Sequence, residues 1–146
     1  MESYLIDFLR LLLAVLLGGI IGFQRELGEK PAGMRTHILV SLASAMMMIV
    51  AEHSTVITGG VDPMRISAAI ITGIGFLGAG TIIRERERGA IHGLTTAASV
   101  WTVACIGIAV GQGYYFVAIA GTLLVFVVLH IFGKIETWIR SLKKKS

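Results

Sequence analysis

The sequence predicts an all-α membrane protein, a polytopic bundle of about five transmembrane helices, and three observations point there. First, 55% of the 146 residues are apolar and 15% are charged, and counting the 18 glycines raises the apolar share to about two thirds. A soluble domain carries about 45–50% apolar residues with glycine included and about 25% charged ones. A globule of this length is mostly outer shell and cannot hide so much apolar surface. Second, five segments approach the roughly 17–25 apolar residues that cross a hydrocarbon core. Third, lysine and arginine gather in alternate connections between those segments. The composition excludes an ordinary soluble enzyme, a disordered segment and a disulfide scaffold, since Cys105 stands alone.

The first predicted span is Tyr4–Phe23. Its rival reading is a signal peptide, but Glu2 and Asp7 stand where a basic leader region belongs, so it reads as a retained span. The second, Thr36–Ala51, is short and continues through Glu52 and His53 toward Ile57. The third, fourth and fifth are Ile66–Ile83, Leu94–Val110 and Tyr114–Phe132. Pro31 and Pro63 fall outside all five, so each helix can run unbroken. A single transmembrane domain over residues 1–146 is expected, with no soluble domain.

Charge placement predicts orientation. Eleven of the 13 Lys and Arg residues lie in the connections 24–35 and 84–93 and in the tail after residue 133. Five spans put those three regions on one side, which the positive-inside rule makes cytoplasmic. The N-terminus is then outside and the tail Lys143–Lys145 inside, against anionic lipid. The net charge of +4 needs no nucleic acid to explain it.

The run from Gly73 to Gly80 contains G-x-G-x-x-G. A dinucleotide site needs a strand before it and an acid about twenty residues on, and neither is present. Small residues that let helices approach closely explain it better. Gly18, Gly22, Gly73, Gly75, Gly78, Gly80, Gly107 and Gly111 are therefore predicted packing positions, and the first, third and fourth helices are expected to touch. A local break of the third helix is the alternative.

Ionisable residues inside a membrane normally pair or line a wet cavity. Asp7 and Arg10, three apart on the first helix, form either an intrahelical pair or a site at the outer mouth. His130 is expected to bond a backbone carbonyl. At the inner face the topology gathers Arg25, Glu26, Arg35, Thr36, His37, Arg84, Glu85 and Thr95. Glu26 and Glu85 are expected to neutralise Arg25, Arg35 or Arg84, and Thr36 and Thr95 to cap their helices. This cluster is either a lock between helices or a functional site. Magnesium needs only one or two carboxylates with retained waters, so the sequence permits Mg2+ there without demanding it. No cofactor motif and no catalytic arrangement is present: no Ser/His/acid order, Cys/His pair, H-E-x-x-H or phosphate loop.

Four stretches, Ile20–Glu26, Lys30–His37, Gly73–Gly80 and Gly93–Trp101, resemble the MgtC/SapB family of bacterial inner-membrane proteins, over roughly residues 14–111. The resemblance implies a multi-pass plasma-membrane protein of magnesium or ion homeostasis. In better-studied branches it implies a regulatory role toward the ATP synthase, with virulence and low-magnesium adaptation. Those branches carry a cytoplasmic domain after the last span; none is expected on this sequence. Gln24 replaces the acid often found before Arg25-Glu26. Thr95 and Thr102 stand where the virulence branch has Asn and Cys, with Cys105 three residues beyond. A regulator of another membrane complex is the leading expectation. An ion transporter acting as a homo-oligomer, with steps at Asp7, Thr72, Ser99/Thr102 and Glu26/Glu85, is the alternative.

Overall fold

The computed structural model describes residues 2–58, 62–84 and 91–143. Six helices follow in order: α1 (Glu2–Leu27), α2 (Met34–Thr58), α3 (Pro63–Gly80), α4 (Leu94–Gly111), α5 (Tyr115–Val127) and α6 (Gly133–Lys143). A π-helical turn, Val128–Phe132, joins α5 to α6. Five stretches, 3–27, 34–55, 63–80, 94–111 and 115–136, are long and apolar enough to cross a membrane. The 26 residues of α1 extend about 39 Å at 1.5 Å each, more than the roughly 30 Å of a hydrocarbon core.

The ends of α3 have local causes. Asp62 accepts from the Met64 amide at 2.9 Å and Pro63 takes the first helical position, so the helix starts three residues before the expected Ile66. It stops at Gly80, where Thr81 donates its hydroxyl to the Gly78 carbonyl at 2.8 Å. Beyond it lies a small antiparallel ladder that the sequence pattern did not announce, β1 (Ile83–Arg84) with β2 (Ile91–His92). Gly93 closes that excursion with φ +91°, and a Cβ there would strike the Thr81 carbonyl oxygen. Backbone conformation and close approach both require glycine.

The bundle is organised around α2. Gly18 and Gly22 lay α1 against it: added Cβ atoms would stand 2.8 Å from the His37 carbonyl and 2.7 Å from Met34 Cα. From α4, Gly107 meets the Ser41 carbonyl, and a Cβ on Gly111 would lie 2.6 Å from that of Ala45. Two G-x-x-x-G faces thus grip one helix, α1 along Met34, His37 and Ser41 and α4 along Ser41, Ser44 and Ala45. The first, third and fourth helices do not form the expected mutual contact. Helix α4 packs on α1, α2, α3 and α5, but α1 and α3 are not a packed pair.

The glycines of α3 also depart from expectation. Gly78 faces Ala97 of α4, where an added Cβ would sit at an ordinary 3.7 Å. Gly73, Gly75 and Gly80 face open space within this chain. The reason is angular: at 100° per residue Gly73 and Gly80 fall on the far side of the helix from Gly78. Helix α3 nonetheless runs unbroken through the whole run. It buries Gly78 alone, and α5 buries only Ala118 and Thr122, so both are peripheral.

Candidate functional site

Arg25 shares the α1 face of Gly18, since seven residues bring a helix back to within about 20°. That face is buried, and Arg25 is 4% exposed. Its guanidinium donates to Thr96 Oγ1 on α4 at 2.7 Å, while its Nε has no partner. Among the described residues no carboxylate pairs with it. A cation held this way is costly unless hydrogen bonding compensates it, so the contact with Thr96 matters.

The polar line continues from Thr96. Ser99 Oγ lies 2.9 Å from the Thr96 carbonyl and 3.0 Å from Nε2 of His37, which is fully buried. His37 Nδ1 lies 2.8 Å from the Gly33 carbonyl. A carbonyl only accepts, so Nδ1 carries a proton. Ser99 has one hydroxyl proton and two acceptors in reach. With His37 singly protonated, Ser99 donates to Nε2; with both ring nitrogens protonated, Nε2 donates and Ser99 turns to Thr96. The hydroxyl is therefore a two-position rotor inside the contact of α2 with α4.

Glu26 does not neutralise Arg25. Its Oε2 accepts from the Met34 amide at 2.9 Å, capping α2 from α1. A carboxylate at a helix N-terminus also meets the positive end of the helix dipole. A Cβ on Gly33 would collide with that same oxygen, so glycine here keeps the cap in place. The expected threonine caps are accordingly replaced: α2 is capped by Glu26, and α4 starts after Gly93 without a side-chain cap.

The structure brings Arg25, Glu26 and His37 to one end of the bundle. Arg35, Thr36 and Thr95 lie at that end but are exposed. The Arg84 side chain and Glu85 lie outside the described residues. The buried threonine is Thr96, not Thr95. It stands eleven residues from Gly107, about 20° away around α4, whereas Thr95 is about 120° off. Sharing the G-x-x-x-G face was the available signal for Thr96; Ser99, about 80° from Gly107, had no such signal.

At the other end Asp7 and Arg10 are only 3.9 Å apart at their nearest, and each has a better partner on another helix. Arg10 donates to the Glu52 carboxylate, to the Tyr115 hydroxyl at 2.9 Å and to the Gly111 carbonyl at 3.3 Å. Asp7 meets His53 Nε2 at 2.8 Å. The expected intrahelical pair is thus the weak member of a cluster joining α1, α2, α4 and α5. Sequence spacing held no sign of Tyr115. His130 stacks on Phe126 with ring centres 5.8 Å apart. Among the described residues no three His, Cys, Asp or Glu side chains gather as a metal site.

Comparisons with known proteins bear on this arrangement. A family model described as the MgtC family matches residues 11–138. An uncharacterized protein of Haemophilus influenzae is 41% identical over 143 residues, covering 94% of this chain and 60% of its own. The Escherichia coli K12 protein named "Putative magnesium transporter YhiD" is 41% identical over 129 residues, 85% of this chain and 59% of its own. Protein MgtC of Salmonella typhimurium is 41% identical over 128 residues, 86% of this chain and 53% of its own. The chain thus spans between about half and three fifths of these relatives. No solved structure matches it.

Proposed function

The chain belongs to the MgtC family, and on that premise we propose that it serves magnesium homeostasis by acting on another membrane complex rather than by carrying ions itself. It is a multi-pass protein of the bacterial inner membrane. The proton-translocating ATP synthase, to which the family resemblance points, is the partner class this reading favours, and the role is non-catalytic. The buried line Arg25–Thr96–Ser99–His37 locks α1, α2 and α4. Arg35, Thr36 and Thr95, exposed at the same end, are available to a partner.

One observation supports this reading most: the two polar clusters are separated by a closed apolar layer. Arg10 and Arg25 are fifteen residues apart on α1, about 22 Å along the axis. Between them lie Ala14, Leu17, Ala45, Val103 and Ala104, all buried. Ser41 and Ser44 add hydroxyls to that layer, but neither has a hydrogen-bond partner, so they do not link the clusters. Thr72 and Thr102, expected steps of an ion route, are exposed or at the rim and donate back to Ala68 and Ala98 on their own helices. The described side chains form no continuous hydrogen-bond chain from one cluster to the other, which favours the regulatory reading.

Transport by a homo-oligomer is the second reading. YhiD's name favours it, as does the open face at Gly73 and Gly80, where a second copy could pack closely. Liposomes reconstituted with the purified protein separate the two. Regulation predicts Mg2+ entry no faster than into empty liposomes under an imposed membrane potential, with a second membrane complex recovered by crosslinking in cells. Potential-driven Mg2+ entry above that background would establish transport instead.

A further inference from the structure

We propose that the groove between the end of α1 and the α5–α6 helix binds the phosphate headgroup of an anionic phospholipid. The groove holds about 550 Å³ and is lined by Gln24, Lys30, His130, Lys134, Trp138 and Ser141. Its chemistry is that of an anion site: two ammonium groups and an indole N–H are donors, while the Ser141 hydroxyl donates to the Trp138 carbonyl at 2.6 Å. Among the described residues neither lysine is in an ion pair. Glu136 is two positions from Lys134, and residues so spaced on a helix do not face each other.

Two further observations turn an anion site into a lipid site. The groove straddles residue 136, where the fifth apolar stretch ends, and Leu129 adds an apolar side chain to its lining. Leu27, three residues beyond Gln24 on α1, and Ile131, next to His130, are exposed apolar residues suited to acyl chains. Trp138, 63% exposed, takes the amphipathic position that aromatic rings occupy at a membrane boundary. The floor also holds an unsatisfied acceptor. Gln24 donates its amide to the Leu129 carbonyl at 3.4 Å, while its Oε1 is buried with no partner. Once the Gln24 amide turns toward the groove, a hydroxyl on the headgroup, as in phosphatidylglycerol, would supply the missing donor. The helix widens into its π-helical turn at this same level, a feature that frequently marks functional positions. Basic pockets between spans are a general means of holding anionic headgroups.

A free phosphate has the same anionic chemistry, so the test needs separate arms. The full chain in detergent micelles is titrated with phosphatidylglycerol, phosphatidylcholine or inorganic phosphate, and bound ligand is counted by native mass spectrometry. Phosphatidylglycerol should be retained in preference to phosphatidylcholine, and inorganic phosphate should neither bind nor compete. Lys30→Gln with Lys134→Gln should weaken phosphatidylglycerol binding about thirtyfold, roughly five- to sixfold for each basic residue. Arg35→Gln, which removes an exposed charge outside the groove at the same end, should change it less than about threefold. Trp138→Phe keeps the ring and removes the N–H, so it tests the site without altering charge and should weaken binding several-fold. Equal retention of the two lipids, an equal loss in Arg35→Gln, or competition by inorganic phosphate would each overturn the proposal.

Discussion

Arg25 states the residue-scale problem most sharply: a buried guanidinium whose partner is a threonine hydroxyl rather than a carboxylate. Hydrogen bonds to charged groups contribute about 1.5–3 kcal/mol. Thr96→Val should therefore lower stability in detergent by about that much. In an Arg25→Met background the same change should cost less than about 1 kcal/mol, because no charge is left unpaired. Unfolding midpoints of the four proteins in this cycle measure the difference, and equal costs in both backgrounds would remove the Arg25–Thr96 bond from the account. Gly33 and Glu26 form a second coupled pair. Gly33→Ala pushes the carboxylate off the Met34 amide and should cost about 1 kcal/mol, the usual value of a lost cap. Combined with Glu26→Ala it should add little, and thermal denaturation of the double mutant reads this directly. The gathering of Arg25, Glu26 and His37 at one end was legible because each is an ionisable residue at the end of an apolar stretch. Their partners were not, because a hydrogen bond depends on which turn of a neighbouring helix lies opposite.

Among elements, glycines that look alike in sequence differ in consequence. Gly22→Ala and Gly107→Ala place a methyl inside the contact with α2 and should each destabilise by about 1–3 kcal/mol, as overpacking does. Gly73→Ala and Gly75→Ala meet nothing in this chain and should raise the stability of the isolated protomer by about 0.5–1 kcal/mol through helix propensity. Thermal unfolding in detergent ranks all four. A loss in Gly73→Ala that appears only in membranes, and not in detergent-isolated protomers, would place a partner on that face of α3. The G-x-x-x-G spacing of Gly18/Gly22 and Gly107/Gly111 was readable as close packing. Which helix they pack against was not, since a small-residue face is complementary to any other small face. Helix α2 receives both because the glycines let α1 reach its backbone at Met34 and His37 and let α4 reach it at Ser41 and Ala45, with the small Ser41 shared by the two contacts.

Across the whole molecule, the residues that join helices separate into two polar ends with an apolar layer between them. One end is held by Arg25, Thr96, Ser99 and His37, the other by Arg10, Glu52, Tyr115, Asp7 and His53. Charge segregation predicts that the first end faces the cytoplasm. Reporter fusions after Ser146 and within residues 84–93 should accordingly report cytoplasmic placement, and one between Ser54 and Asp62 external placement. A cytoplasmic signal from the last would reverse the orientation and put Arg35, Thr36 and Thr95 beyond reach of a cytoplasmic partner.

Composition and hydropathy by themselves determined the class of fold, the number of spans and the segregation of charge, because transfer into a bilayer depends on residues summed over a whole segment. They also marked the ionisable residues at span ends, whose burial is costly wherever they point. Tertiary structure decided the rest. It made α2 the hub, turned Thr96 inward and Thr95 outward, gave Glu26 to a backbone amide, and left Gly73 and Gly80 uncovered. These outcomes depend on how a helix is rotated about its axis. One residue shifts a side chain by 100°, and the rotation is set by steric fit against neighbours rather than by hydropathy.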